Sequence, residues 1–160
     1  MVQAEAARSY YGPWVLNCQA PDEGNMHTLL HWATDAQKEK YLKPLCEGTT
    51  WSCFAMTEPE VAGSDPTLIQ TTAVQDGDEW VINGHKWFSS NASVADILIV
   101  MVKTNLDEDA SPYQAFSMIV VPTDAPGVNI VRDVPTMGEP DHRTGEPGGH
   151  AEILYEDVRV

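Results

Sequence analysis

The chain has 160 residues, 42% hydrophobic and 21% charged, with 24 acids against 9 bases and a formal net charge of −15. That length suits one ordinary domain, and the composition is that of a globular rather than a disordered protein. So acidic a chain repels phosphate backbones and anionic lipid, which disfavours nucleic-acid and peripheral membrane roles.

The N-terminus, MVQAEAARSYY, lacks the apolar stretch of a signal peptide, and residues 1 to about 50 read as helical. Met26 to Trp32 follows a Gly24-Asn25 break and carries apolar residues at helical intervals. His27 and His31, at i and i+4, share a helix face, but no further ligand lies at zinc spacing, which favours a structural role. Thr34, three residues before Gln37, predicts a capping box opening a second short helix, DAQKEKYLKPLCEG, that ends at Gly48. Cys18, Cys46 and Cys53 form no CxxC pair, and their odd number argues against a disulfide framework. A reducing compartment is expected: cytoplasmic, or the mitochondrial matrix in a eukaryote.

From Trp51 the pattern changes to strands. WSCFAMTE, LIQTTAVQD, EWVIN, HKWFSS, DILIVMVKT, AFSMIVVP, GVNIV and AEILYEDVRV are of strand length. Gly77-Asp78 and Asn83-Gly84 are tight-turn signals, which predict consecutive hairpins across the second to fourth of these strands. DAPG is a further turn, and Glu139 to Gly149 is the one long loop, with His142 and His150 near it read as solvated. DILIVMV, the longest apolar run, is too short to span a bilayer. The expected fold is mainly β, an antiparallel barrel or sandwich after a short α-helical segment. The absence of βαβ alternation and of GxGxxG argues against a Rossmann fold.

Two loops carry candidate chemistry. In FAMTEPEVAGSD, Phe54 to Asp65, the strand stops at Pro59, which cannot extend a ladder. Gly63 permits close backbone approach or a positive φ, and Thr57 and Ser64 offer hydroxyls beside free amides. Asp65 can cap the loop, and Glu60 reads as solvated. The second patch, Trp87-Phe88-Ser89-Ser90-Asn91, sets aromatics beside hydroxyls at a strand end, where they could stack on and hydrogen-bond a flat ring. Spacing alone leaves both as ordinary turns.

The string AMTEPEVAGSD resembles the signature of the acyl-CoA dehydrogenases, a flavoprotein family. EWVINGHKWFSSNA, SMIVVPTDAPGVNIV and GGHAEILYEDVRV resemble later passages of the same family in the same order. NCQAPDEGNMHTLLHWATDAQKEKYLKPLCEG is similar to the last N-terminal helices of a subgroup sometimes fused to a kinase-like domain.

That resemblance implies the end of a helical N-terminal domain over 1–50 and a flavin-contacting β middle domain over 51–160. A C-terminal helical domain, expected past Val160, would hold the catalytic base. FAD is the implied cofactor, with Phe54, Met56, Thr57, Gly63, Ser64, Phe88, Ser89 and Ser90 around it. The amides and the Thr57 hydroxyl would lie near the flavin N1–C2 edge, and Ser64 would also serve the substrate's pantetheine arm. Phe88 and Ser90 stand where the family usually has Trp and Thr, and Glu60-Val61-Ala62 lengthens the signature loop by one residue.

The implied activity is α,β-desaturation of an acyl-CoA thioester in fatty acid β-oxidation, with electrons passed to an electron-transferring flavoprotein. A homo-oligomer is implied when the chain is full length. Metal is not implied, and the 160 residues alone are expected to be inactive. Two alternatives stay open: a non-catalytic assembly fragment, or a relative with different flavin chemistry. Lys86, Lys103, Arg132 and Arg143 are the cations available to FAD or CoA phosphates.

Overall fold

The computed structural model describes residues 2–107, 111, 114–138 and 148–160. The chain opens with short helices α1 (Val2–Ala6) and α2 (Gly12–Val15), then α3 (Asp22–Trp32). Helix α4 (Asp35–Gln37) passes through a π-helical turn (Lys38–Leu42) into α5 (Lys43–Cys46). The capping box forms as expected: the Gln37 amide donates to Thr34 Oγ1, and the Thr34 amide donates to Gln37 Oε1 at 2.9 Å. Gly48, at φ +67°, follows the helix end.

Gly24-Asn25 is not a break. Helix α3 runs through it because Asp22 and Asn25, both buried, are anchored to β1. The Ser52 amide and hydroxyl donate to Asp22 Oδ1 at 2.7 and 2.5 Å, and Asn25 Nδ2 donates to the Ser52 hydroxyl at 2.8 Å. A polar face thereby docks the helix on the sheet.

Seven strands follow: β1 (Ser52–Ala55), β2 (Thr72–Asp76), β3 (Glu79–Ser90), β4 (Ile97–Lys103), β5 (Phe116–Pro122), β6 (Val128–Asp133) and β7 (His150–Arg159). They form one curled, half-barrel sheet in the order β1-β4-β2-β3-β7-β6, with β5 on β4. Pairing is mainly antiparallel, but β1 and the first residue of β2 lie parallel to β4. The apolar run in β4 is explained by burial on both faces. Leu98, Val100 and Val102 enter the main core with Cys53, Ile82 and Tyr155, while Ile97 and Ile99 meet Leu29 and Leu45 beneath the helices.

The hairpin at Gly77-Asp78 forms, with Asp76 opposite Glu79. The one expected at Asn83-Gly84 does not: EWVIN and HKWFSS are a single twelve-residue strand. Strand β7 pairs along its whole length and supplies the extra residue instead, with Glu156 and Asp157 facing Asn83 in a β-bulge. Asn83 clamps this bulge, accepting from the Asp157 amide at 2.9 Å and donating to its carboxylate at 3.0 Å. Gly84 serves close approach, since a Cβ there would sit 2.3 Å from Thr71 Oγ1. Most of the long loop, positions 139–147 with His142 and Arg143, lies outside the described residues. No helix among the described residues is long and apolar enough to cross a membrane.

Candidate functional site

The two loops singled out by sequence meet. Just past the end of β1, the Thr57 carbonyl accepts from the Trp87 amide at 3.0 Å, and the Thr57 hydroxyl donates to the Trp87 carbonyl at 2.6 Å. Thirty residues of separation are closed by this double bridge. The Thr57 amide itself has no hydrogen-bond acceptor among the described residues. The signature loop folds back over it, so a Cβ on Gly63 would lie 3.6 Å from Thr57 Cγ2.

Strand β3 is irregular where it passes Thr57. Lys86 faces Ile153 and Ser89 faces Ala151, so Trp87 and Phe88 together oppose Glu152 alone. This is a second β-bulge, now on β3, and Phe88 within it takes φ +48°. A bulky residue in the left-handed region is uncommon and costs on the order of 1–3 kcal/mol. The effect is to turn the Phe88 ring outward, 42% exposed, edge-on to Trp87 at a centroid distance of 4.9 Å. Bulges that re-aim side chains in this way occur often beside functional sites.

The other candidates divide. Ser89 is buried, and its hydroxyl has no partner among the described residues. The Ser90 hydroxyl meets His150 Nδ1 at 2.9 Å, so His150 belongs to the site rather than to solvent. If the imidazole donates from Nδ1, the Ser90 O–H is left free to donate elsewhere. Met56 is half-buried beside Thr57. Phe54 packs against the helix-facing cluster of Leu29, Leu45, Ile97 and Ile99. Ser64 is exposed and makes no hydrogen bond among the described residues. Gly63 does not take the positive φ that the sequence reading allowed; the loop turns through Asp65, which accepts from the Thr67 amide at 3.0 Å and hydroxyl at 2.6 Å.

Beneath the loop is a feature that sequence reasoning missed. Lys86 is wholly buried, and its Nζ donates to the Met56 carbonyl at 2.8 Å and to Glu58 Oε1 at 2.9 Å. Glu58, 2% exposed, also accepts from the Gln70 amide at 2.7 Å, and from the Thr71 amide and hydroxyl at 2.9 and 2.5 Å. Burial opposes the Glu58 carboxylate, but the hydrogen bonds from Thr71, Lys86 and Gln70 outweigh it and hold the group below its usual range. Lys86 is pulled down by burial despite Glu58. This lysine is therefore not a phosphate ligand. Its parity with buried Ile82 along β3 was the signal available.

Glu60 is not simply solvated either. It meets His85 Nδ1 at 2.8 Å, while His85 Nε2 meets Glu152 at 3.0 Å and Glu152 takes Arg132 Nε at 2.7 Å. Arg132, another of the cations available by sequence, is thus engaged. Burial works against the His85 cation, yet the two carboxylates win and raise its pKa.

What the site offers is an outward aromatic face, a backbone donor without an acceptor among the described residues, and hydroxyls on the curled half-barrel sheet. Such a donor together with an exposed ring fits the edge of a flat, hydrogen-bonding heterocycle such as an isoalloxazine.

Comparison with known proteins gives the same direction. Residues 53–149 match the model of the acyl-CoA dehydrogenase middle domain. The chain is 45% identical to acyl-CoA dehydrogenase family member 11 of Gallus gallus over all of its own length and 20% of that protein's. A Mycobacterium abscessus structure assigned to the acyl-CoA dehydrogenases superposes with a TM-score of 0.89 at 44% identity, over 98% of this chain and 37% of that one. A glutaryl-CoA dehydrogenase of Mycobacterium smegmatis, in complex with FADH2, matches with a TM-score of 0.70 at 27% identity over 85% of this chain and 31% of that one. The chain therefore spans about a fifth to little more than a third of these three relatives. With its signature loop, its bulged β3 and this match over most of its strands, the chain belongs to the acyl-CoA dehydrogenase family.

Proposed function

We propose that this chain is the flavin-contacting part of an FAD-dependent acyl-CoA dehydrogenase that desaturates acyl-CoA thioesters at the α,β bond. Residues 1–50 would be the end of its helical N-terminal domain and 51–160 its β domain. The observation that carries the reading is the bulge at Trp87-Phe88, which turns the strained Phe88 ring out next to Trp87, the residue bridged to Thr57, whose amide has no acceptor among the described residues.

Bound at this site, FAD would supply a two-electron acceptor for the substrate's hydride. The chain's own contribution is binding and electrostatics. Reduction builds negative charge on the flavin N1–C2 edge, and a fixed Thr57 N–H aimed there favours it as an oxyanion hole would. Such a donor contributes on the order of 3 kcal/mol, against about 1 for an ordinary neutral hydrogen bond. Phe88 gives a stacking face, and Ser90, set by His150, gives a second donor. Ser64 is free to meet the cofactor or the pantetheine arm. The α-proton would go to a carboxylate expected in the family's C-terminal domain, and Glu58 is not that base, because every hydrogen bond it accepts is structural. The electron acceptor would be an electron-transferring flavoprotein.

An FAD titration of the chain, followed by flavin fluorescence and visible absorbance, tests this. Saturable binding that Ser90→Ala weakens by about fivefold, the loss of one hydrogen bond of about 1 kcal/mol, is the expected result. Binding that is equally strong in Ser90→Ala and Phe88→Ala would move the flavin elsewhere and sink the assignment.

A further inference from the structure

The buried Lys86–Glu58 pair looks at first like cohesion alone. Its position says more. Met56 C=O and Thr57 N–H belong to one peptide unit, which is planar and trans, so the two bonds point in opposite directions. The Lys86 ammonium holds the Met56 oxygen at 2.8 Å from inside the protein. The Thr57 N–H is thereby aimed away from Lys86, to the side where no acceptor lies among the described residues.

From this geometry we infer that Lys86 is a positioning residue of the flavin site: by gripping the Met56 carbonyl it fixes the Met56–Thr57 peptide and presents the Thr57 N–H to the flavin edge. The inference rests on the flavin reading above and adds to it what sets the donor.

Three features favour positioning over simple cohesion. A cation on the carbonyl oxygen draws electron density from the amide, so the N–H becomes a stronger donor where anionic charge develops. Thr57, which carries the N–H of that peptide, is itself held on Trp87 through its hydroxyl and through the carbonyl of the following peptide. Glu58 neutralises Lys86 and is itself fixed by Gln70 and Thr71, so the buried ammonium is held at both acceptors. The lysine thus touches neither flavin nor substrate and acts only through the peptide it holds. Pro59, one residue beyond Glu58, adds stiffness to the same turn.

The experiment uses the full-length, FAD-loaded protein and compares wild type, Lys86→Arg and the double variant Glu58→Gln/Lys86→Met. The double variant removes the charge pair together, which avoids stranding one buried charge. Three quantities are read: unfolding temperature without flavin, affinity for oxidised FAD, and the two-electron midpoint potential of the bound flavin. Positioning predicts a folded double variant that binds reduced flavin about tenfold more weakly relative to oxidised, a potential lower by about 30 mV. Lys86→Arg should recover part of that shift. A double variant that folds and holds FAD at an unchanged potential would overturn the inference while leaving the flavin reading intact. Failure of the double variant to fold would assign the pair to cohesion alone and also overturn it. If wild type binds no FAD, the flavin reading falls and the inference with it.

Discussion

His85 shows how a residue can be legible in type and hidden in role. In sequence it is one of the chain's five histidines, lies in an ordinary strand and carries no signal of a partner. In the structure its ring joins Glu60 of the signature loop to Glu152 of β7. Side-chain identity was visible, but partners 25 and 67 residues away were not. The same holds for Glu58, whose partners Gln70, Thr71 and Lys86 lie 12, 13 and 28 residues away, whereas the burial of Lys86 was hinted at by its parity with Ile82. The His85 contacts predict a pH effect with a definite sign. Its folded pKa lies above the unfolded value of about 6.5, so the folded state binds the proton more tightly. The resulting stabilisation is fully present below pH 6.5 and is lost as pH rises through the raised folded value. An NMR titration of the His85 ring should place its midpoint above 6.5, and Glu60→Gln should move it down. A midpoint at or below 6.5 in the wild type would contradict the geometry.

At the level of elements, type was legible and connection was not. The capping box at Thr34, the helix stop at Gly48 and the hairpin at Gly77-Asp78 are local chemistry, and each formed where the residues pointed. Asn83-Gly84 carries an equally strong turn signal, yet β3 runs through it. Tertiary pairing won because β7 offers ten residues of partner strand and places its own bulge opposite Asn83. The glycine is then needed for space. A methyl group at 84 would meet Thr71 Oγ1 at 2.3 Å and Cγ2 at 2.4 Å. Thr71 cannot yield freely, because its amide and hydroxyl both hold Glu58. Gly84→Ala should therefore destabilise by about 2 kcal/mol, typical of overpacking a filled core. Urea unfolding measures this directly. A loss below about 0.5 kcal/mol would show that β3 and Thr71 separate more easily than the packing implies. Loosening there would also reach Glu58 and the Met56–Thr57 peptide, so flavin affinity should fall in step with stability.

For the molecule as a whole, family and β-rich fold were legible because motifs recur in order, while charge placement was not. Two of the cations that the sequence makes available to phosphates are already engaged: Lys86 with Glu58, and Arg132 with Glu152. Arg159 is likewise held by Asp76 at 2.8 Å and Glu79 at 3.1 Å. With 24 acids to 9 bases in the sequence, the excess of negative charge is thus left largely unbalanced, and folding brings like charges together. Salt acts on the two kinds of interaction unequally. The screening length falls from about 30 Å at 0.01 M to about 3 Å at 1 M. Acid–acid repulsion acts over distances of order 10 Å and is removed first, whereas the ion pairs, near 3 Å, survive longer and contribute at most about 1 kcal/mol each when exposed. Relief of repulsion should win. Calorimetry in NaCl rising from about 0.01 to about 0.5 M should show a higher unfolding temperature, by about 3 °C for each kcal/mol of repulsion removed. A temperature that falls with salt would mean that the surface pairs around Arg132 and Arg159 outweigh the excess acids, and that the −15 charge is far better compensated locally than its total suggests.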